Sequence, residues 1–563
     1  MKAKSERRPR SVPAVYGLAS LAILIAVATL ALVVSPPGPP ALAEFAPRAE
    51  DRIDEALKAQ SSSFGTGDGG DCAAGQECAA GGDGSGGGLG VTTTTTGPKN
   101  EREIDVARVR RCVGDPPRQT EDPQSPPCVN YFEGDNGGAT TRGVTRDEIL
   151  VAVPEYLDNP SFEDFVDHFN KRYELYGRKL RIVKMPRQPG DSNTTGAPVD
   201  AAAEAHAFAY LTFYLNDLDA SEVQAAAARR HIISVIPYAN QTTSDRYREL
   251  APYAWSFAPA ADEMERDLGD LACTSLNGKT ADFARGDLRV KGRRFGVLRS
   301  TSSHPLDLSG LNAALRRCGI APPPVYDIHF KDDRDAVLRT YLSMKDAGIT
   351  TLLLVANADD VTQWASKLPG DFQPEWVVSG LAVPEQEGQW NLVMPSAQHA
   401  GLFGAFTPNK LLAPADVPAL WAYREDHPDD TAPDPSADRR NLAMSFGWTQ
   451  EYRALLLLAS GIQLAGPKLT PETFAQGLQR ARFPNPGAGT GPYYQARVGF
   501  GPGDYTMSSG SAVVWWADSA PAYGSQGVTR QGGWCYVHKG ARFERDWVDV
   551  STSLFDPNPA NCR

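Results

Sequence analysis

From Gly143 onward, short apolar runs alternate with amphipathic ones, and that alternation constrains the fold more than any other feature of the 563-residue chain. Glu148 to Val153 (EILVAV) reads as a strand, and Phe162, Phe165, Val166, Phe169 and Tyr173 then mark one helical face. Leu180 to Met185 is a second strand, followed by an Ala-rich helix from Val199 and an apolar strand over Ala207 to Leu215. A helix from Ser221 to Arg230 leads into the strand Ile232 to Ile236, which Pro237 stops. The same order restarts. A helix over Ala261 to Leu276 precedes strands at Arg294 to Leu298, Val325 to Phe330, Ile349 to Val355 and Glu375 to Ser379. Helices at Leu308 to Arg317, Asp335 to Lys345 and Val361 to Leu368 separate those strands. This β-α-β-α order predicts parallel sheets covered by helices on both faces.

Two such units, at residues 146–260 and 261–379, each match the size of one domain. Residues 380–510 then supply a strand-like run (Gly401 to Phe406), a helix near Val417 to Arg424, and a helix over Tyr452 to Leu464 that is apolar nearly all round. Residues 511–563 open with SAVVWWA, a late strand. Apolar residues at 41% and charged residues at 22% are ordinary for globular domains.

The N-terminus differs from all of this. Lys2, Lys4, Arg7, Arg8 and Arg10 precede the uncharged run Ala14 to Val34, which as a helix would be roughly 30 Å long, enough to span a bilayer. A membrane anchor is expected here. The rival is a signal peptide cleaved after Ala41-Leu42-Ala43. Either alternative exports the remainder, with the basic flank in the cytoplasm. Residues 44–145, with GGDGSGGG and TTTTT tracts and Pro-rich segments, are expected to form a disordered linker.

Eight cysteines fit an oxidising compartment. Proximity in sequence suggests the pairs Cys112–Cys128, Cys273–Cys318 and Cys535–Cys562, with Cys72 and Cys78 paired in the linker. No cysteine or histidine cluster has metal spacing, so no metal site is expected. The first 43 residues carry +4 of a net charge of −12, leaving −16 on the rest, and this speaks against a nucleic-acid partner. There is no G-x-S-x-G elbow, H-E-x-x-H helix or P-loop, and the glycine cluster at 81–90 follows no strand. No catalytic residues, no cofactor and no enzyme activity are expected.

The segments GVTRDEILVAV (143–153), VIPYANQTTS (235–244), APYAWSFAPAADEMERDLGDLA (251–272), RRFGVLRS (293–300), ITTLLLVANADD (349–360) and EYRALLLLASGIQLAGPKLTPETF (451–474) carry a resemblance through their order and spacing. Together they resemble the type I periplasmic binding proteins, in particular the leucine/isoleucine/valine-binding-like substrate-binding proteins of ABC transporters. The resemblance implies two Rossmann-like lobes joined by a three-crossing hinge with a ligand cleft between them. Lobe 1 would comprise 146–260 and the return 380–510, and lobe 2 would be 261–379 with the C-terminal segment packed on it.

In open parallel sheets, ligands bind beyond the carboxyl ends of the strands. The candidate ligand-binding residues are therefore Asp219, Ser221, Thr242 and Thr243 in lobe 1. The resemblance sets Thr243 where the family holds an amino acid's α-carboxylate. In lobe 2, His304 stands where the family places an aromatic contact, and Asp332 and Asp333 stand where an acidic residue pairs a ligand ammonium. Asn357 and Ser379 are further strand-end polar groups. For each of these, the alternative is a turn, a helix cap or a solvated loop residue. Trp376, Trp390, Trp448, Trp515 and Trp516 offer either a stacking wall or core.

The resemblance thus implies an extracytoplasmic solute-binding protein, anchored by its N-terminal helix or secreted after cleavage near Ala43. It would capture a small polar solute for an ABC transporter permease. The alternative is a ligand-sensing or scaffold domain of the same fold that delivers nothing to a transporter.

Overall fold

A computed structural model of the chain describes residues 112–155, 160–185, 197–212, 217–239, 242–301, 305–381, 394–407, 417–428, 446–485, 496–523, 529–537 and 542–543. All belong to one compact unit, Gly97–Arg563. The Ala14 to Val34 run, the Ala43 cleavage site and the glycine-rich tract lie outside the described residues. Among those described, no helix is long and apolar enough to cross a membrane.

In lobe 1, chain order gives β1 (Glu148–Pro154), α1 (Pro160–Arg172), β2 (Lys179–Met185), α2 (Ala197–Glu204), β3 (Ala209–Leu211), α3 (Asp217–Arg229), β4 (Ile233–Ile236), α4 (Ser244–Glu249) and β5 (Ala254–Ser256). These strands form one parallel sheet in the order β2-β1-β3-β4-β5.

Lobe 2 follows with α5 (Ala261–Leu271), β6 (Phe295–Ser300), α6 (Ser309–Arg317), β7 (Val325–Ile328), α7 (Arg334–Asp346), β8 (Thr351–Val355), α8 (Ala358–Ala365), β9 (Glu375–Val378) and β10 (Leu402–Phe406). Helices α9 (Pro418–Asp426), α10 (Phe446–Ala465) and α11 (Pro471–Arg480) come next. The short pair β11 (Arg497–Val498) and β12 (Ser508–Ser509) precedes β13 (Ser511–Tyr523), β14 (Thr529–Tyr536) and β15 (Arg542–Phe543). The second sheet runs β14-β13-β10-β9-β8-β6-β7, with β15 beside β13. Read from its far edge, β7-β6-β8-β9-β10 repeats the order of the first sheet. The chain therefore builds two five-stranded parallel arrays with the same winding, the second extended by the antiparallel strands β13, β14 and β15.

Both sheets are sandwiched. In lobe 1, Val151, Val153, Leu211, Ile233 and Val235 meet α1 and α10, while Ala152, Tyr210 and Ile236 meet α2 and α3. Residues Ala454 to Ala459 of α10 are fully buried, as an all-round apolar helix requires. In lobe 2, Leu352 and Leu354 point one way and Leu353 and Val355 the other, the period-2 pattern of a strand covered on both faces.

The chain passes between the lobes three times, at Ser256 to Ala261, between Phe406 and Pro418, and at Ser509 to Ser511. The first and third run side by side, since Ser256 N donates to Tyr505 O and Met507 N donates to Ser256 O. At the third crossing, Gly510 adopts φ +73°, a turn that side chains disfavour.

Two expectations are corrected. The first is the lobe 1 return at 380: β10 lies parallel to β9 in the second sheet, with Leu402 opposite Trp376, so the crossing falls after Phe406. Among the described residues the β9–β10 connection holds only a 3-10 turn (Ser396–Gly401). The run Gly401 to Phe406 reads as a strand from its composition, but composition does not tell which sheet a strand joins. The second is the linker: from Cys112 the chain packs against lobe 1. Gln119 and Ser125 are fully buried, and Gln124 Nε2 donates to Ala496 O (2.8 Å). Arg178 donates to the carbonyls of Asn136, Thr145 and Pro467. This segment is held by side chain to backbone bonds and a disulfide, neither of which leaves a hydrophobic period to read.

Cys112–Cys128 and Cys273–Cys318 form disulfides. Cys535 is also disulfide-bonded, to a residue outside the described set, where Cys72, Cys78 and Cys562 lie.

Below β9, Glu375 is fully buried. It accepts from Arg293 Nε (2.8 Å) and Nη2 (2.9 Å), Thr351 Oγ1 (2.6 Å) and Phe283 N (3.1 Å). The Arg293 side chain is itself only 2% exposed. Glu375→Ala is therefore expected to cost about 3–5 kcal/mol, because it strands a buried guanidinium. Urea denaturation measures it; a loss below 1 kcal/mol would contradict the assignment.

Candidate functional site

With both sheets wound 2-1-3-4-5, each reverses strand order beside its first strand, and the crevice at that reversal is the binding position such sheets offer. The strand ends there are Glu155 and Thr212 in lobe 1, and Ser300, Thr301 and Asn357 in lobe 2. Asn357 N donates to Ser300 Oγ (2.9 Å), closing the reversal of the second sheet.

One strand beyond that reversal in each sheet, the tips of β4 and β9 are joined by a described contact. Beyond β4, Pro237 and Tyr238 turn back beside the first crossing, where Ala258 N donates to Pro237 O (2.9 Å). The Tyr238 hydroxyl then donates to the carbonyl of Gly380, just past β9. Gly380 has no room for a side chain, since a Cβ would fall 2.3 Å from Thr407 Oγ1. Neither Tyr238 nor Gly380 was among the sequence candidates. The PYAN turn after β4 was visible, but its partner across the lobes was not.

The predicted residues are distributed as follows. Thr242 is buried, donates to Gln224 Oε1 (3.0 Å), and presents its carbonyl to Ala261 N, the first amide of α5 (3.0 Å). Thr243 is the N-cap of α4, its hydroxyl accepting from Arg246 N (3.3 Å). Ser221 sits half-buried in the first turns of α3. Asp219 belongs to the same helix, but its side chain lies outside the described set, as does His304 entirely.

In lobe 2, Asp332 accepts from His329 N (2.9 Å), and Asp333 caps α7 by accepting from Ala336 N (2.7 Å). Asn357 caps α8 through Asp360 N (2.9 Å). Ser379 is buried and donates to Leu354 O (2.8 Å). Thr242, Thr243, Ser379 and Asn357 thus stand at strand ends. Asp332 and Asp333 follow β7, the edge strand of the sheet, away from the β9 tip that Tyr238 reaches. Trp376, Trp448, Trp515 and Trp516 are core residues, and Trp390 lies outside the described set.

Cavities lined by described residues include one of about 510 Å³ beside the end of β6, at Arg299, Asp307 and Asn312, and two that lie elsewhere. One of about 560 Å³ opens on the hinge between Pro259, Ser509 and the α5 acids, and one of about 450 Å³ lies behind lobe 1 at His168, Trp421 and Tyr452. Among the described residues no group of three or more His, Cys, Asp or Glu is arranged to hold a metal ion.

No family model matches the sequence, and no curated protein matches it. Solved structures similar to it are ABC transporter substrate-binding proteins. A fatty acid ABC transporter substrate-binding protein from Thermomonospora curvata is 15% identical, covers 74% of this chain and 99% of its own, and gives a TM-score of 0.46. A possible leucine/isoleucine/valine-binding protein from Rhodopirellula baltica SH 1 is 12% identical over 70% of this chain and 98% of its own, with a TM-score of 0.45. A solute-binding protein from Rhodopseudomonas palustris HaA2, solved with p-hydroxybenzoic acid, is 11% identical over 71% and 98%, with a TM-score of 0.47. At these identities and scores the likeness extends to nothing about what this chain binds.

Replacing Thr243 or Asn357 by Ala is expected to lower stability by about 1 kcal/mol each through the lost cap, measured by chemical denaturation. Unchanged stability would show that neither side chain is needed by its helix.

Proposed function

We propose that this chain is an extracytoplasmic solute-binding protein that captures a small polar solute between its lobes and releases it unreacted. The observation that carries this reading is the Tyr238–Gly380 contact. It joins the tips of β4 and β9, one strand beyond the reversal of each identically wound sheet and on the carboxyl edges at which such sheets bind ligands. A solute touching both lobes favours the closed arrangement by its differential affinity for that state.

The strand-end groups suit a polar solute. Asn357 and Ser379 are fixed by caps and backbone bonds, which lowers the entropy lost on binding. Thr242 and Thr243, at the corner where α4 meets α5, are proposed as lobe 1's contacts to the solute. Asp219, Ser221, His304, Asp332 and Asp333 complete the proposed set of solute contacts. In this reading lobe 1 comprises 112–260 and 418–509, and lobe 2 comprises 261–406 with 511–543. The proposed partner is an ABC transporter permease, with the N-terminal segment as membrane anchor or signal peptide.

The test is isothermal titration of the purified chain with branched-chain and other amino acids, amides, urea-like compounds and aromatic acids, alongside native mass spectrometry for a co-purified molecule. A dissociation constant in the micromolar range for one class is expected. No binding below 1 mM and no co-purified molecule would refute the reading. With a solute in hand, Tyr238→Phe is expected to weaken binding about fivefold, equivalent to about 1 kcal/mol for one hydrogen bond made in the closed state. Unchanged affinity would remove Tyr238 from the closing contacts.

A further inference from the structure

Behind lobe 1, the cavity of about 450 Å³ lies where the Cys112–Cys128 clip meets α1, α9 and α10. Cavities that stay empty in proteins are apolar, and this one is lined by ionisable side chains from all four segments. Those side chains divide sharply by whether they have partners.

The buried acids are engaged. Glu425 of α9 meets His168 Nδ1 (2.7 Å) through one oxygen and accepts from Arg172 Nε (2.6 Å) through the other. A carboxylate held by a guanidinium accepts rather than donates, so Nδ1 carries the proton of its bond. Asp122 of the clip is buried and accepts from Gln124 N (2.8 Å) and from the Tyr452 hydroxyl (3.0 Å). Glu121 stands exposed at the rim, where water screens its charge.

Two basic groups are not engaged. The His168 side chain is only 9% exposed, and its Nε2 is buried with no hydrogen-bond partner among the described residues. The Arg424 guanidinium, half-buried on α9, makes no hydrogen bond or ion pair with a described residue. Arg424 directly precedes Glu425, to which His168 is bonded, so both open groups lie on the α9 side of the cavity. A buried ring nitrogen left unpaired costs free energy that a partner recovers. With the acceptors of the wall spent and two donors open beside each other, the missing partner is an anion.

We propose that this cavity is a second ligand site, which takes a small monocarboxylic acid with an apolar body. The carboxylate pairs with Arg424 and accepts from His168 Nε2, while the body rests on Trp421, Pro418 and the Tyr452 ring. Because Nδ1 already donates to Glu425, the ring serves the anion by taking up a second proton, from the acid itself or from solvent. The imidazolium then lies between two carboxylates. A phosphate or sulfate dianion fits less well, since one guanidinium is open and the surface beside it is apolar. His168 and Arg172 belong to the end of α1, at the edge of the sheet remote from the gap between the lobes. The proposal therefore stands apart from the solute-binding reading.

The test uses the full chain labelled with fluorotryptophan, the Trp421 fluorine resonance being assigned by its loss in Trp421→Phe. Cyclohexanecarboxylate is titrated in, with cyclohexylmethanol as its uncharged counterpart. The Trp421 resonance is expected to shift with the acid and to saturate in the millimolar range or below, whereas the alcohol should act about tenfold more weakly. Arg424→Gln and His168→Gln should each weaken the acid about tenfold, the effect of one charge-assisted hydrogen bond. Arg339→Gln, exposed on α7 of lobe 2, should leave its affinity unchanged. No shift of the Trp421 resonance, an equal response to the alcohol, or wild-type affinity in both cavity variants would each overturn the site. If His168→Gln does not fold, Arg424→Gln decides alone, because that side chain holds no described partner. The Trp421 resonance reports the back of lobe 1 and not the gap between the lobes, so failure here is separable from failure of the solute-binding reading.

Discussion

The arrangement depends on how the first and third crossings are held against the N-terminal end of α5. Two sheets with independent cores need a fixed relation if their strand ends are to share a gap, and the crossings alone would allow many. Backbone pairing of Ser256 with residues 505–507 makes the first and third strands one ribbon. The Thr242 carbonyl satisfies the first amide of α5, which a helix start would otherwise leave open. Asp262 then fixes α4 to α5 through Ser244. The relation between the lobes is thus set by polar, directional bonds, while the apolar contacts stay within each lobe. Such a joint bends more readily than a shared hydrophobic core would.

The duplicated winding explains why one contact bears on the proposed site. Each 2-1-3-4-5 sheet carries its loops at the carboxyl edge, and the Tyr238–Gly380 contact brings the two edges together. The buried ion pair of Glu375 with Arg293 lies at the other end of β9, where it anchors the base of the strand.

Much of the fold was legible in the sequence, because period-2 and period-3.6 patterns mark strands and helices wherever one layer covers another. Runs such as TLLLV and the Tyr452 to Leu464 helix announce burial by composition alone. Assignment of β10 failed because a strand reports its burial but not its neighbours. The packed segment from Cys112 was missed because it is held by side chains such as Gln119, Gln124 and Arg178, whose targets are carbonyls distant in sequence. For the site, strand-end position was readable and orientation was not. Thr243, Asp333 and Asn357 are all residue types that cap helices, and each does so. Whether such a group also faces a gap depends on the opposite lobe, to which no local pattern refers.

The Cys112–Cys128 clip has a mechanical consequence. Gln119 Nε2 donates to the carbonyl of Arg172, the last residue of α1, and Tyr452 donates to Asp122 within the same clip. A helix that follows a strand in a parallel sheet runs back along it, so the end of α1 lies at the edge remote from the gap. Tension on the chain upstream of Cys112 would therefore be delivered to the back of lobe 1 alone.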